Sequence, residues 1–115
     1  MATRQATALR QPDDDLCCSS VIEAPLAEAE AVELAQVLAA LADPVRLRLL
    51  SLVAAQGQVC SCDLEGSLGR SQPTVSHHTR ILANAGLITA QKRGKWTWWS
   101  VAPDRLAAVR RALGA

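Results

Sequence analysis

From Gln58 to Leu82 the chain reads QVCSCDLEGSLGRSQPTVSHHTRIL. Cys60 and Cys62 open one apolar-periodic segment, Gly69-Arg70-Ser71 interrupts it, and Ser71-Gln72-Pro73-Thr74 opens a second. Two short helical segments joined by a glycine-containing break have the rhythm of a helix-turn-helix, whose second helix enters the major groove of DNA. Only eight residues separate Cys62 from Ser71. Whatever binds the sulfurs therefore also pulls on the first helix of the unit, and the stretch has the layout of a switch.

The flanking sequence supplies the rest of a small helical body. Upstream, Leu26 to Leu41 is alanine-rich, with apolar residues at Val32, Leu34, Ala35, Val37, Leu38 and Leu41. That spacing predicts a helix with a broad apolar face, available to the core or to a dimer partner. Asp43-Pro44 is a helix start, Asp43 as N-cap and Pro44 at the first helical position, and the helix runs to Gly57. A short helix from about Cys62 to Leu68 ends at Gly69, and one from Gln72 to Ala85 ends at Gly86. Leu87–Gln91 and Trp96–Val101 then flank Lys92-Arg93-Gly94-Lys95, which predicts a hairpin with a basic tip, placed like the wing of a winged helix. Asp104 to Leu113 forms a last short amphipathic helix. The fold class expected is mainly α with a small β-hairpin, a dimeric winged helix-turn-helix. It occupies residues 26–115, behind a flexible arm over residues 1–25 that carries Cys17-Cys18.

At 115 residues with 50% hydrophobic content, the chain has room for one domain with a sizeable core. Phe and Tyr are absent and the three Trp lie between Trp96 and Trp99, so the core is aliphatic. The net charge of +1 conceals an asymmetry, −5 over residues 1–42 and +6 over residues 43–115. A basic C-terminal body suits a polyanionic partner. The N-terminus lacks an apolar signal-peptide core, and no run approaches the ~18 apolar residues of a membrane span. A cytoplasmic protein without membrane attachment is expected. In a reducing compartment, four cysteines in two close pairs point to metal ligation or redox chemistry rather than to structural disulfides.

On the second helix, the polar side chains of the first two turns are placed to meet base edges or phosphates. They are Gln72, Thr74, Ser76, His77 and Arg80, with Ser71 just before them. Val75, Ile81 and Leu82 face the core, with Thr79 at its margin. His77 and His78 point about 100° apart on a helix and cannot easily share a metal, so His78 is expected to pack or hydrogen-bond. Lys92, Arg93 and Lys95 at the wing suit phosphates or the minor groove. By strand alternation Trp96 and Trp98 lie on one face and Trp99 on the other.

Cys60-Ser61-Cys62 brings two sulfurs within reach of one ion at a helix start, where the dipole favours thiolate. Two donors do not complete a site. A trivalent metalloid such as arsenite takes three thiolates, and cadmium, lead or zinc can take four. The remaining donors are sought in Cys17 and Cys18, the only other cysteines. Two other readings compete: small buried core cysteines, and a redox switch through a disulfide.

The blocks ALADPVRLRLLSLV, VCSCDL, SQPTVSHHTRILANAGLI and GKWTWWSV, in that order, resemble the ArsR/SmtB family of metal-sensing winged-helix repressors over about residues 33–101. The resemblance implies a homodimer joined by its first and last helices. It would bind double-stranded operator DNA when metal-free and leave it when metal binds. It also implies that Cys60 and Cys62 match the cysteine pair of thiol-based sensors, with arsenite or antimonite as inducer, or alternatively cadmium or lead, and no organic cofactor. Glu65 stands where one type of arsenite sensor has a third cysteine, so a fully local three-sulfur site is not expected. Adjacent N-terminal cysteines resembling Cys17-Cys18 occur in other arsenite sensors and in cadmium and lead sensors. The last helix has Asp104 but no His, unlike the zinc and nickel sensors, and Thr79 stands where leucine is usual. An enzymatic role such as arsenate reduction is not expected, because Cys-Ser-Cys followed by Asp63 and Glu65 is a poor oxyanion cradle.

Overall fold

The computed structural model describes residues 20–114. Its elements are α1 (Glu28–Leu41), α2 (Pro44–Gln56), β1 (Val59–Cys60), α3 (Ser61–Leu68), α4 (Gln72–Asn84), β2 (Ile88–Arg93), β3 (Trp96–Val101) and α5 (Pro103–Ala112). Five helices and a hairpin appear where the periodicity places them. One element was not expected: β1 adds a third strand, and the sheet order is β1-β3-β2 with both pairings antiparallel. The small β-hairpin of the sequence reading is thus the larger part of a three-stranded sheet.

The helix boundaries follow from identifiable caps. Asp43 accepts hydrogen bonds from the N–H groups of Val45 (2.9 Å) and Arg46 (3.1 Å), which otherwise lack partners at the start of α2. Gly69 closes α3 in the left-handed conformation at φ 65°, a geometry that is costly for any residue with a Cβ. The wing turn is tighter than expected. Arg93 pairs with Trp96 across it, so only Gly94 and Lys95 form the loop, while Lys92 and Arg93 belong to the strand.

The contacts divide the chain into two compact units. The larger, residues 36–103, has its core in Leu49, Val53, Leu64, Leu68, Val75, Leu82, Leu87 and Ile88, each nearly or wholly removed from water. Burying such side chains contributes about 1.5–3 kcal/mol apiece and holds α2, α3, α4 and the sheet together. In the other unit, described over residues 20–35 and 104–114, Leu34, Ala108, Val109 and Ala112 are buried. The Arg105 guanidinium meets the Glu33 carboxylate at 2.8 Å, and the Val21 N–H donates to the Ala112 carbonyl. The same unit leaves Val21, Ile22, Val32 and Leu113 exposed. The arm expected over residues 1–25, with Cys17 and Cys18, lies outside the described residues except for 20–25.

Candidate nucleic-acid interface and thiol site

Helix α4 turns one face to the core and the other outward. Val75 and Leu82 are buried, Ile81 is half-buried, and Gln72, His77 and Arg80 are exposed beside the exposed Ser71. Thr74 and Ser76 are half-buried. Ser71 does not cap a backbone N–H with its side chain; its hydroxyl donates to Thr74 Oγ1 at 3.1 Å. Thr79 corrects an expectation: it is buried rather than marginal. The cost of burying its hydroxyl is offset by donation to the Ser76 carbonyl at 3.0 Å.

Two arginines of α2, neither singled out from the sequence, tie the unit together. Arg48 donates to the carbonyls of Leu68 and Ser67, both at 3.4 Å, at the C-terminal end of α3 where cations are favoured. Arg46 donates from Nε to the Ala40 carbonyl at 2.6 Å and from Nη1 to His78 Nδ1 at 3.2 Å. Arginine has no lone pair to offer, so His78 Nδ1 accepts and the ring is neutral. Burial is the main force holding the His78 imidazole below its ordinary 6.5, with Arg46 adding to it and the Asp43 carboxylate pulling the other way. The hydrogen-bonding role expected of His78 matches this contact. Asp43 is itself held below its ordinary 3.8, chiefly by the Arg46 N–H.

The wing cations differ from one another. Lys92 is exposed, and Lys95 lies over the exposed Trp96 ring at 5.4 Å. Arg93 is engaged on three sides. It stacks over Trp98 at 5.0 Å, and Nη2 donates to Gln58 Oε1 at 2.8 Å and Gln91 Oε1 at 3.2 Å.

At the sulfur pair, Cys60 is the last residue of β1 and the N-cap of α3, its Sγ accepting from the Cys62 N–H at 3.2 Å. Cys60 is 2% exposed, Cys62 faces solvent, and the two sulfurs are joined as a disulfide. Opened by a reductant, this pair supplies two soft donors at one point. Among the described residues no cluster of three or more Cys, His, Asp or Glu side chains could hold a metal ion. The disulfide departs from the expectation of two free thiols and matches the competing reading of a redox-active pair. Val59 and Cys60 lie across from Trp99 and Trp98 of β3. The signal for β1 was a two-residue apolar run between Gly57 and Ser61, too short to show alternation.

Residues 43–90 match the family model described as bacterial regulatory protein, arsR family. An uncharacterized HTH-type transcriptional regulator of Methanocaldococcus jannaschii is 39% identical over 75 residues, 65% of this chain and 84% of that one. The arsenical resistance operon repressor of Escherichia coli is 40% identical over 63 residues, 55% of this chain and 54% of that one. A cadmium resistance transcriptional regulatory protein homolog from Staphylococcus aureus is 33% identical over 76 residues, 66% of this chain and 63% of that one. The match thus spans about half the length of the Escherichia coli repressor. The crystal structure of a possible transcriptional regulator for arsenical resistance superposes with a TM-score of 0.59 at 32% identity, over 65% of this chain and 76% of that one. With its order of elements, its reading helix and its wing, this chain belongs to the arsR family of bacterial transcriptional regulators.

Proposed function

We propose that the protein is a cytoplasmic, metalloid-responsive repressor that binds operator DNA as a homodimer and releases it when arsenite or antimonite is captured by cysteine thiolates. One observation carries this reading: the Cys60-Cys62 pair sits at the junction of β1 and α3, the helix that precedes the reading helix α4. Gln72, Thr74, Ser76 and His77 are assigned to base edges, and Ser71, Arg80, Lys92 and Lys95 to phosphates. The exposed Val21, Ile22, Val32 and Leu113 support a dimer surface on the unit containing α5.

In this reading a reductant first opens the disulfide to two thiols. Cys60, Cys62 and one or both of Cys17 and Cys18 then replace the hydroxyls of arsenite, each As–S bond formed for an As–O bond broken, with the thiol proton and the hydroxyl leaving as water. Capture draws on the N-cap of α3 and so on the helix-turn-helix. A tenfold loss of operator affinity needs only about 1.4 kcal/mol of coupling. The resemblance to a cadmium resistance regulator and the presence of four cysteines favour a second reading, a cadmium or lead sensor with four thiolates.

Ligand-to-metal ultraviolet absorption, read alongside operator release on the reduced full chain, separates the two. Arsenite or antimonite acting at lower concentration than cadmium or lead supports the first reading. The reverse order installs the second, and release by none of them removes both.

A further inference from the structure

We propose that Arg93 is a positioning residue rather than a phosphate contact: through Gln58 and Trp98 it ties the wing to the strand that carries Cys60, so the wing reads the chemical state of the Cys60-Cys62 pair. This rests on the thiol-sensing role assigned above and goes beyond it by giving the signal a second route, through the sheet as well as through α3 and α4.

The geometry runs in a closed circuit. Cys60 lies across from Trp98, whose ring carries the Arg93 guanidinium at 5.0 Å. Arg93 Nη2 returns to Gln58 Oε1 at 2.8 Å, and Gln58 is two residues before Cys60. Strand β1 is only two residues long, and one of the two is also the N-cap of α3. A change at the Cys60 sulfur therefore cannot be absorbed along the strand; it acts on the cap, on the pairing with β3, or on both. With Nη2 shared between two amide oxygens and its guanidinium over the Trp98 indole, Arg93 is tied to the sheet through three partners, whereas the cation of Lys95 meets only the Trp96 ring at 5.4 Å. The fork geometry is specific to arginine; a lysine keeps the charge but cannot stack and bridge in this way.

The test compares wild type, Arg93→Lys, Arg93→Ala and Gln58→Ala, all full-length and reduced. Operator affinity is measured across a salt series, and again with sodium arsenite and with cadmium chloride. A positioning Arg93 leaves the salt slope of the metal-free protein unchanged in all three variants. It also shrinks the loss of affinity on adding the active ion by about fivefold, the equivalent of one hydrogen bond, with Arg93→Lys and Gln58→Ala behaving like Arg93→Ala. A phosphate-contacting Arg93 gives the opposite pattern. Arg93→Ala then lowers the slope by about 0.9, Arg93→Lys restores it, Gln58→Ala is silent and the response to the ion is intact; that result overturns the proposal. If wild type itself responds to neither ion, the sensing role falls and the wing route falls with it. If wild type responds and all variants respond equally, only the wing route falls.

Discussion

Helix α4 and strand β1 are separated in sequence only by α3 and its turn, yet they are specified in opposite ways. The start of α4 is set by Pro73 near its N-terminus, its end by Gly86 at φ 77°, and its two faces by its own alternation of apolar and polar residues. By contrast, β1 is a strand because Trp98 and Trp99 lie across from Cys60 and Val59, about 40 residues further along the chain. The DNA-reading element is thus locally determined, and the sulfur-bearing element depends on a distant partner. The element that depends on long-range pairing is expected to open more readily than α4, and in the proposed function it is the element that carries the Cys60 sulfur.

The largest expected effect breaks the rigid side of the comparison. Leu82→Ala removes a fully buried side chain of α4 and is expected to cost about 2–5 kcal/mol in urea unfolding, with loss of operator binding. A cost below about 1 kcal/mol would show that α4 is not anchored as described. Next, Val59→Ala strips two methyl groups from β1, both of whose residues are buried, an expected loss of about 2 kcal/mol. Amide exchange should sharpen the contrast here: protection should fall at Trp98 and Trp99 of β3 and hold within α4. Equal loosening of both would deny that β1 is the separate, softer element.

Between the two regions, Gly69→Ala forces a Cβ into the left-handed turn after α3, at an expected cost of about 1 kcal/mol. No neighbour lies within 4 Å of that added carbon, so backbone strain alone sets the effect. The smallest effect concerns pH. Because the folded His78 stays neutral below its ordinary 6.5, the unfolded chain takes up the proton first, and stability declines as pH falls below that value. Asp43 adds a separate loss at lower pH, as its carboxyl is protonated below the ordinary 3.8. In His78→Gln the upper part of this decline should flatten and the lower part persist. An unchanged profile between pH 7 and 5 would remove His78 from the linkage.

Helices were legible in the sequence because their signals are local: Asp43-Pro44, Gly57, Gly69 and Gly86 punctuate apolar repeats of helical spacing. The outward face of α4, with Gln72, His77 and Arg80 exposed, followed from the same periodicity. What escaped was long-range. Nothing in Val59-Cys60 announces a partner at Trp98–Trp99, and nothing in Arg46 announces His78, 32 residues away. Thr79 was placed at the core margin by its polarity, yet a bond to its own helix allows it to be buried. For the proposed thiol site, spacing singles out Cys60 and Cys62, and two sulfurs are fewer than the three that arsenite takes. Cys17 and Cys18 lie outside the described residues, so their part in completing the site remains a proposal.

The central claim, that sulfur chemistry at the β1–α3 hinge controls the reading helix, is tested most directly by operator anisotropy with the reduced protein. Wild type, Cys60→Ser, Cys62→Ser and the double variant Cys17→Ser/Cys18→Ser would be titrated with arsenite. The account expects all four to bind the operator with similar affinity when metal-free, and only wild type to release it at low arsenite. Release by Cys60→Ser or Cys62→Ser at the wild-type concentration would contradict the claim, and release by the double variant alone would remove the N-terminal cysteines from the site.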